Sequence, residues 1–216
     1  MLRIILIRHG QTDWSADGPA GEHFRGRIDI GLNLSGHAQA QAVAARLGHV
    51  DIAAIYASPL ARAIETAQPL AQERGLQVKP LPSLLDIDYG QWGGRSHHEV
   101  AQTCPERYRL WRTAPHRIHI PGGERLADVQ QRVAGGLPAL VERHQGQIIV
   151  LVAHQVVNKV TICHLLGLGL DAFWRIRQDN GCINRFDLAD GTATVLTINE
   201  VGHLPCWPAE LDELPG

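Results

Sequence analysis

Three segments of the chain place basic or titratable residues directly behind aliphatic runs. LRIILI is followed by Arg8-His9-Gly10, QIIVLVA by His154, and IYA leads through Ser58-Pro59-Leu60-Ala61 to Arg62. Taken singly, each has an ordinary reading. A histidine at a strand end is commonly a hydrogen-bonded structural residue, and an arginine in the first turn of a helix opposes the helix dipole unless an anion compensates. Taken together they read differently. Two histidines and two arginines converging on one crevice would repel strongly without a dianion between them, which describes a phosphate pocket. Neighbouring cations there disfavour protonation of an imidazole, leaving it neutral and nucleophilic near pH 7. Attack on phosphorus would give a phosphohistidine, with the arginines clamping the transferring oxygens. Gly10 would let the backbone approach the phosphate where a Cβ would clash.

Such convergence requires strands that end at one edge of a sheet. Leu2 to Arg8 is continuously aliphatic, as expected for a strand covered on both faces. Residues 13 to 34 read as a long polar loop, after which Ser35-Gly36 opens a helix that stops at Gly48. A strand over Asp51 to Ala57 precedes Ser58-Pro59, read as an N-cap with proline at the first helical position. The helix that follows runs to Gly75, with a kink expected at Pro69. Leu76 to Pro80 is a short strand and residues 86 to 95 a glycine-containing loop. Helical stretches near 96 to 113 precede a Pro121-Gly122-Gly123 turn and a helix from Glu124 to His144, interrupted at Pro138. Gln147 to Ala153 is a strand and Val156 to Leu166 a helix. Strands near 182 to 188 and 193 to 199 form an edge hairpin turning at Asp190-Gly191. This alternation predicts one α/β domain over residues 1 to 216 with a mostly parallel central sheet. In open sheets of this kind the ligand crevice lies beyond the carboxyl ends of the strands.

Composition excludes several classes. The 216 residues carry 22 acidic and 20 basic side chains, which gives no basic footprint for nucleic acid or an anionic membrane. The apolar run Ile4 to Ile7 is too short for a signal peptide or a membrane span, so the cytoplasm is the expected location. Cys104, Cys163, Cys182 and Cys206 have no paired spacing and read as isolated reduced thiols. The histidines outside the strand ends, such as His97, His98, His116 and His119, match no metal-binding spacing and read as surface residues; no metal or other cofactor is expected.

In its order of motifs the chain resembles the histidine phosphatase superfamily, also called the phosphoglycerate mutase-like family. The resemblance covers nearly the whole sequence, through RHGQT (8–12), FRGRIDIGLNLSGHAQA (24–40), IYASPLARAIETA (55–67), LLDIDYGQWGG (84–94), PGGE (121–124), VLVAH (150–154) and DNGCINRF (179–186). It implies a three-layer sandwich with helices flanking the sheet. It implies His9 as the phosphorylated nucleophile, with Arg8, Arg62 and His154 completing the phosphate pocket. It also implies an acid in LLDIDYGQWGG, at the position of Asp86, where members usually carry glutamate. Asp88, two residues on, would face the other side of an extended segment, and Glu124 is the fallback. Candidate substrate contacts around this set are Gly10, Thr12, Ser15, Phe24, Arg25, Gly26 and Gln155. Ser15 stands where many members have asparagine, the loop from Trp14 to Phe24 is longer than usual, and Arg125 replaces a serine.

The resemblance leaves two enzyme readings. A mutase must enclose a bisphosphorylated intermediate, and the mutases of the family carry a lysine soon after their acid motif. Here DIDYGQWGGRS has none, since Lys79 and Lys159 are the chain's only lysines. Hydrolysis of a small phosphorylated metabolite is therefore favoured, by a monomer or homodimer. A non-catalytic phospho-ligand binder and a metal-dependent hydrolase are the readings from other classes. For the rest of the substrate, Trp14, Phe24, Tyr89 and Trp92 could line an apolar side, and Arg25, Arg27, Arg95 and Arg125 could attract a second anion.

Overall fold

A computed structural model of the chain describes residues 1–15 and 21–204. The expected extra length between Trp14 and Phe24 falls partly, and Cys206 wholly, outside the described residues. Six strands form one sheet in the order β3-β2-β4-β1-β5-β6. β1 (Leu2–Arg8), β2 (Ala54–Ala57), β3 (Val78–Pro80) and β4 (Ile148–Ala153) run parallel, while β5 (Ile183–Ala189) and β6 (Thr192–Glu200) form an antiparallel hairpin on β1. At its turn Asp190 and Gly191 both have positive φ, 51° and 74°, as a two-residue hairpin of this twist requires.

Alternate residues of each strand supply two cores, as the period of two dictates. Ile5, Ile7, Ile55, Val150 and Val152 pack against α1 (Leu34–Leu47) and α2 (Ala61–Gln72). Ile4, Leu6, Tyr56, Ile149 and Leu151 pack on the other face, with α5 (Leu126–Arg143), α6 (Gln155–Leu165) and the region holding α3 (His97–Thr103) and α4 (Pro105–Thr113). The architecture is thus helix, sheet, helix. No helix among the described residues is long and apolar enough to cross a membrane.

Helix starts depart from the local reading. α1 is capped by Asn33, whose Oδ1 accepts from Gly36 N at 2.9 Å, rather than opening at Ser35. Ser58-Pro59 does not cap α2, which begins at Ala61. The cap comes from Asp29, 32 residues earlier, whose Oδ1 accepts from Ala61 N at 2.7 Å. Neither internal proline ends its helix: α2 runs through Pro69 and α5 through Pro138. Buried Ala67 and Leu70 in α2, and Leu137 and Leu140 in α5, hold the chain helical on either side.

The loop after β1 is locked to α1. Gln11 O accepts from Asn33 N, and Gln11 Oε1 accepts from Asn33 Nδ2 at 2.9 Å. A Cβ on Gly10 would lie 2.6 Å from Gly36 O, and one on Gly36 would lie 2.1 Å from Gln11 O. Backbone-to-backbone packing against α1 therefore excludes a side chain at Gly10, and it does so without reference to a ligand. Neither carbonyl can yield, so Gly36→Ala should cost about 1–3 kcal/mol, as overpacking of a tight contact does. Urea unfolding measures this, and an unchanged midpoint would mean that loop and helix part easily.

Candidate active site

The register of β1 on β4 builds the centre of the site. Arg8 stands opposite Ala153, so the next residues, His9 and His154, leave the two strands side by side. His9 N donates to Ala153 O at 3.0 Å, and the ring centroids lie 5.2 Å apart, tilted by 58°. Both residues are almost wholly buried, at 1% and 0% exposure. Nδ1 of His9 lies 2.6 Å from the carbonyl oxygen of Gly10, a contact that requires a proton on Nδ1. The lone pair is then on Nε2, which has no hydrogen-bond partner among the described residues. Burial depresses the pKa of His9 well below the usual histidine value, and repulsion from Arg62, Arg25, His154 and Arg8 adds to it. His154 is depressed in the same way. Both rings are therefore neutral at neutral pH. Desolvation is the largest single cause, ahead of any one of the neighbouring cations that the sequence pointed to.

Three buried guanidiniums surround the rings. Arg8 donates from Nη1 to Gln178 O at 2.5 Å. Arg62 is fully buried. It donates to Ile28 O at 3.0 Å, to Gly26 O at 2.7 Å and to Asp86 Oδ2 at 3.1 Å. Its place in the first turn of α2 is thus compensated by Asp86 and two loop carbonyls, so an external anion is not needed to explain it. Arg25 donates to Thr12 Oγ1 at 2.9 Å and Ser15 Oγ at 3.0 Å, and burial lowers its pKa to about 10. The Nε atoms of Arg8 and Arg62 are buried without partners among the described residues.

Asp86 is 6% exposed, and its Oδ2 lies 3.7 Å from His154 Nδ1. Burial raises its pKa above the usual carboxylate value, against the pull of Arg62 and Arg25. Asp88 faces away, its Oδ1 accepting from Gly90 N. Glu124 also lies apart. It accepts from Asp88 N at 2.9 Å and from Arg132 Nε at 3.0 Å, and Arg132 reaches on to Ser83 O and Asp86 O. Glu124 and Arg132 thereby hold the loop that carries Asp86.

A pocket opens beside Asp86, Arg25 and Gly26, lined also by Glu22, Tyr89, His97, Trp174 and the half-buried Gln155 at the start of α6. The structure brings together Arg8, His9, Thr12, Ser15, Arg25, Arg62, Asp86 and His154, with Gly10, Gly26 and Gln155 beside them. It does not bring the side chain of Phe24. That ring is fully buried, stacked on His97 at 4.1 Å and packed against Tyr89 and Trp92, so it belongs to the core behind the pocket. Trp92 is equally buried. His97 is half-buried against Phe24 and lines the pocket, and so is not a surface residue. Of the four extra arginines, only Arg25 reaches the site. Arg27 pairs with Glu124 at 3.3 Å, Arg95 with Thr103 on α3, and exposed Arg125 heads α5.

Sequence reasoning missed the polar layer beneath Arg8. Gln178 and Asn184 exchange two side-chain amide bonds of 2.6 and 2.9 Å, and Asn158 donates to Gln178 Oε1 at 3.1 Å. This buried network fixes the backbone carbonyl that holds Arg8. Asn180 Nδ2 donates to the carbonyls of His9 and Gly10 at 3.1 and 3.2 Å. The available signal was the cluster of amides in QDNGCIN, which leads into the strand read near 182 to 188.

Similarity to known proteins runs in the same direction. Residues 4–201 match the model of the histidine phosphatase superfamily, branch 1. Phosphoserine phosphatase 1 of Hydrogenobacter thermophilus is 34% identical over 204 residues, covering 94% of this chain and 95% of that protein. Adenosylcobalamin/alpha-ribazole phosphatase of Escherichia coli is 31% identical over 198 residues, covering 92% and 96%. Among solved structures, Bacillus stearothermophilus YhfR superposes with a TM-score of 0.88 at 30% identity, covering 94% of this chain and all of that one. With two strand-end histidines ringed by buried arginines and a match across almost its whole length, the chain belongs to the histidine phosphatase superfamily.

Proposed function

We propose that the protein is a metal-independent phosphomonoesterase that hydrolyses a small phosphorylated metabolite through a phosphohistidine on His9. The observation that carries this reading is the unpartnered Nε2 of a neutral, buried His9 among three buried guanidiniums. Nε2 is the nucleophile because the carbonyl of Gly10 holds the proton on Nδ1. Arg8, Arg25 and Arg62 bind the transferring oxygens, and their charge matches a phosphate dianion and its transition state in a site of low dielectric. His154, close to His9 and equally neutral, contributes a ring N–H to the same oxygens. The phosphatase names of the relatives support hydrolysis over transfer.

Asp86 is the proton donor to the leaving oxygen and then the base for water. Its raised pKa keeps the acid form available at higher pH than an ordinary aspartate would allow, and Arg62 fixes its orientation. Thr12 and Ser15 support Arg25, and Gly26 supports Arg62 through its carbonyl, where φ of 50° and a contact with Ile87 O exclude a side chain.

Acid quench during turnover should trap an acid-labile phosphoryl group on the wild type, with turnover indifferent to EDTA. Stoichiometric labelling of His9→Ala would falsify the assignment.

Asp86→Asn should slow hydrolysis of an alkyl phosphate by roughly 100- to 10,000-fold. The phosphorylation step with p-nitrophenyl phosphate, whose leaving group needs no proton, should change far less. Because the acid form is required, kcat/KM for the alkyl ester should fall as pH rises through the raised pKa of Asp86. The same fall should be absent from Asp86→Asn. An alkaline fall that survives in Asp86→Asn would remove Asp86 from this role.

Arg62→Ala should abolish turnover. Since it leaves a buried carboxylate unpaired, it should also lose about 3 kcal/mol of stability in urea. A variant that is stable and active would show that Arg62 neither binds phosphate nor holds Asp86.

A further inference from the structure

The two edges of the sheet are unlike. β3 is three residues long and carries Lys79 and Pro80, a cation and a residue without an N–H, both of which discourage another strand from adding to it. β6, at the other edge, is nine residues long and reads TATVLTINE, with no lysine, no proline and no charge before Glu200. Its outer side pairs with no strand among the described residues. Val195, Leu196 and Ile198 are 38%, 42% and 38% exposed. Register shifts against β5 accompany this stretch, and the consecutive Val195 and Leu196 are both exposed. Such irregularity bends a strand but leaves the rest of its outer N–H and C=O groups free. A long, uncharged, apolar edge is a template for a further strand.

A groove continues this surface. Ala193 stands opposite Leu188 and Val195 opposite Phe186, which places both on the sheet face covered by α5 and α6. There a groove of about 550 Å³ opens between the two helices and the hairpin, lined by Leu137, Pro138, Val141, Leu165, Leu188 and Ala193. Strand and groove meet at Thr192 and Ala193, so the apolar surface runs from one into the other. Continuous apolar surface of this kind marks a site of association.

The charges at the two ends of β6 select the partner. At the turn, Asp190 is exposed and makes no ion pair among the described residues. At the far end Glu200 is shared by Arg46 and Arg185, which leaves one positive charge in excess. Two copies of β6 laid antiparallel bring the turn of each to the Glu200 end of the other, so Asp190 of each copy meets the surplus arginine charge of its mate. Between the ends only uncharged side chains face one another, and no like charges are opposed. A parallel arrangement would set Asp190 against Asp190.

We propose that β6 is the interface of a two-fold homodimer, its two copies pairing antiparallel about Leu196 to continue the sheet from one chain into the next. An isologous contact of this kind closes on itself and leaves no free edge at β6.

Sedimentation equilibrium on the full chain should give twice the mass of one chain. Leu196→Lys sets two ammonium groups against each other at the two-fold axis and should weaken association by roughly 100-fold or more. Because Leu196 is exposed, the circular dichroism spectrum should not change. Leu34→Lys, at a leucine of α1 that is 90% exposed, should leave the dimer intact. Leu196→Cys should cross-link to its copy on mild oxidation, because directly opposed residues of antiparallel strands bring their Cβ atoms to about 4.5–5.5 Å. Wild type oxidised in the same way gives the background from the native thiols. A monomeric wild type overturns the proposal, as does a dimer that survives Leu196→Lys or cross-linking of Leu196→Cys no greater than background. If the wild type is monomeric and the thiol of Leu196→Cys reacts with a maleimide only after removal of residues 205–216, the chain's own end covers β6 instead.

Discussion

Arg8 on β1 stands opposite Ala153 on β4 in a parallel ladder, so the chain leaves the sheet at the same level in both strands. A shift of one residue in that pairing would turn every side chain of one strand to the other face. Ile4 and Leu6 would then change cores with Ile5 and Ile7, which the burial of both faces forbids. The spacing of His9 and His154 is therefore protected by the hydrophobic packing of the whole sheet. The tight contact of Gly10 with Gly36 does the same for the loop beyond, and fixes the carbonyl that orients His9.

Around those rings the structure buries three guanidiniums and one carboxylate, an arrangement that costs free energy in the absence of a ligand. The cost is offset by directed hydrogen bonds rather than by solvent. Arg62 is held by Gly26, Ile28 and Asp86, Arg25 by Thr12 and Ser15, and Arg8 by the backbone of Gln178. These partners come from segments far apart in the chain, so the electrostatics of the site are inseparable from the fold. The same burial keeps both histidines neutral and raises the pKa of Asp86, the directions that the proposed nucleophile and acid would need.

The pocket beside the buried charges follows a different logic. Phe24 and Trp92 form an aromatic core behind it, and the edge of that core, with Trp111, Trp174, Tyr89 and His97, meets the pocket. Arg25 and Asp86 stand in the same lining, each held by hydrogen bonds, so the pocket opens directly off the buried charges.

By itself the sequence determined the strands, the mostly parallel character of the sheet and the identity of the strand-end residues. Aliphatic runs of period two can be buried in few ways, and a histidine directly after such a run has its position set by the strand. The hairpin at Asp190-Gly191 was equally local, since its backbone needs positive φ at two successive residues. Asp86 was legible through its motif, and Asp88 was set aside by the alternation of an extended segment. What tertiary structure alone decided is every contact made across long sequence separations. The cap of α2 comes from Asp29, the support for Arg8 from Gln178, and the clamp on the Asp86 loop from Arg132 and Glu124. Phe24 and His97 show the limit most plainly. An aromatic ring beside a pocket motif can face the ligand or the core, and the choice rests on which side has room for it. No local periodicity records that, because the space is enclosed by residues from three other segments.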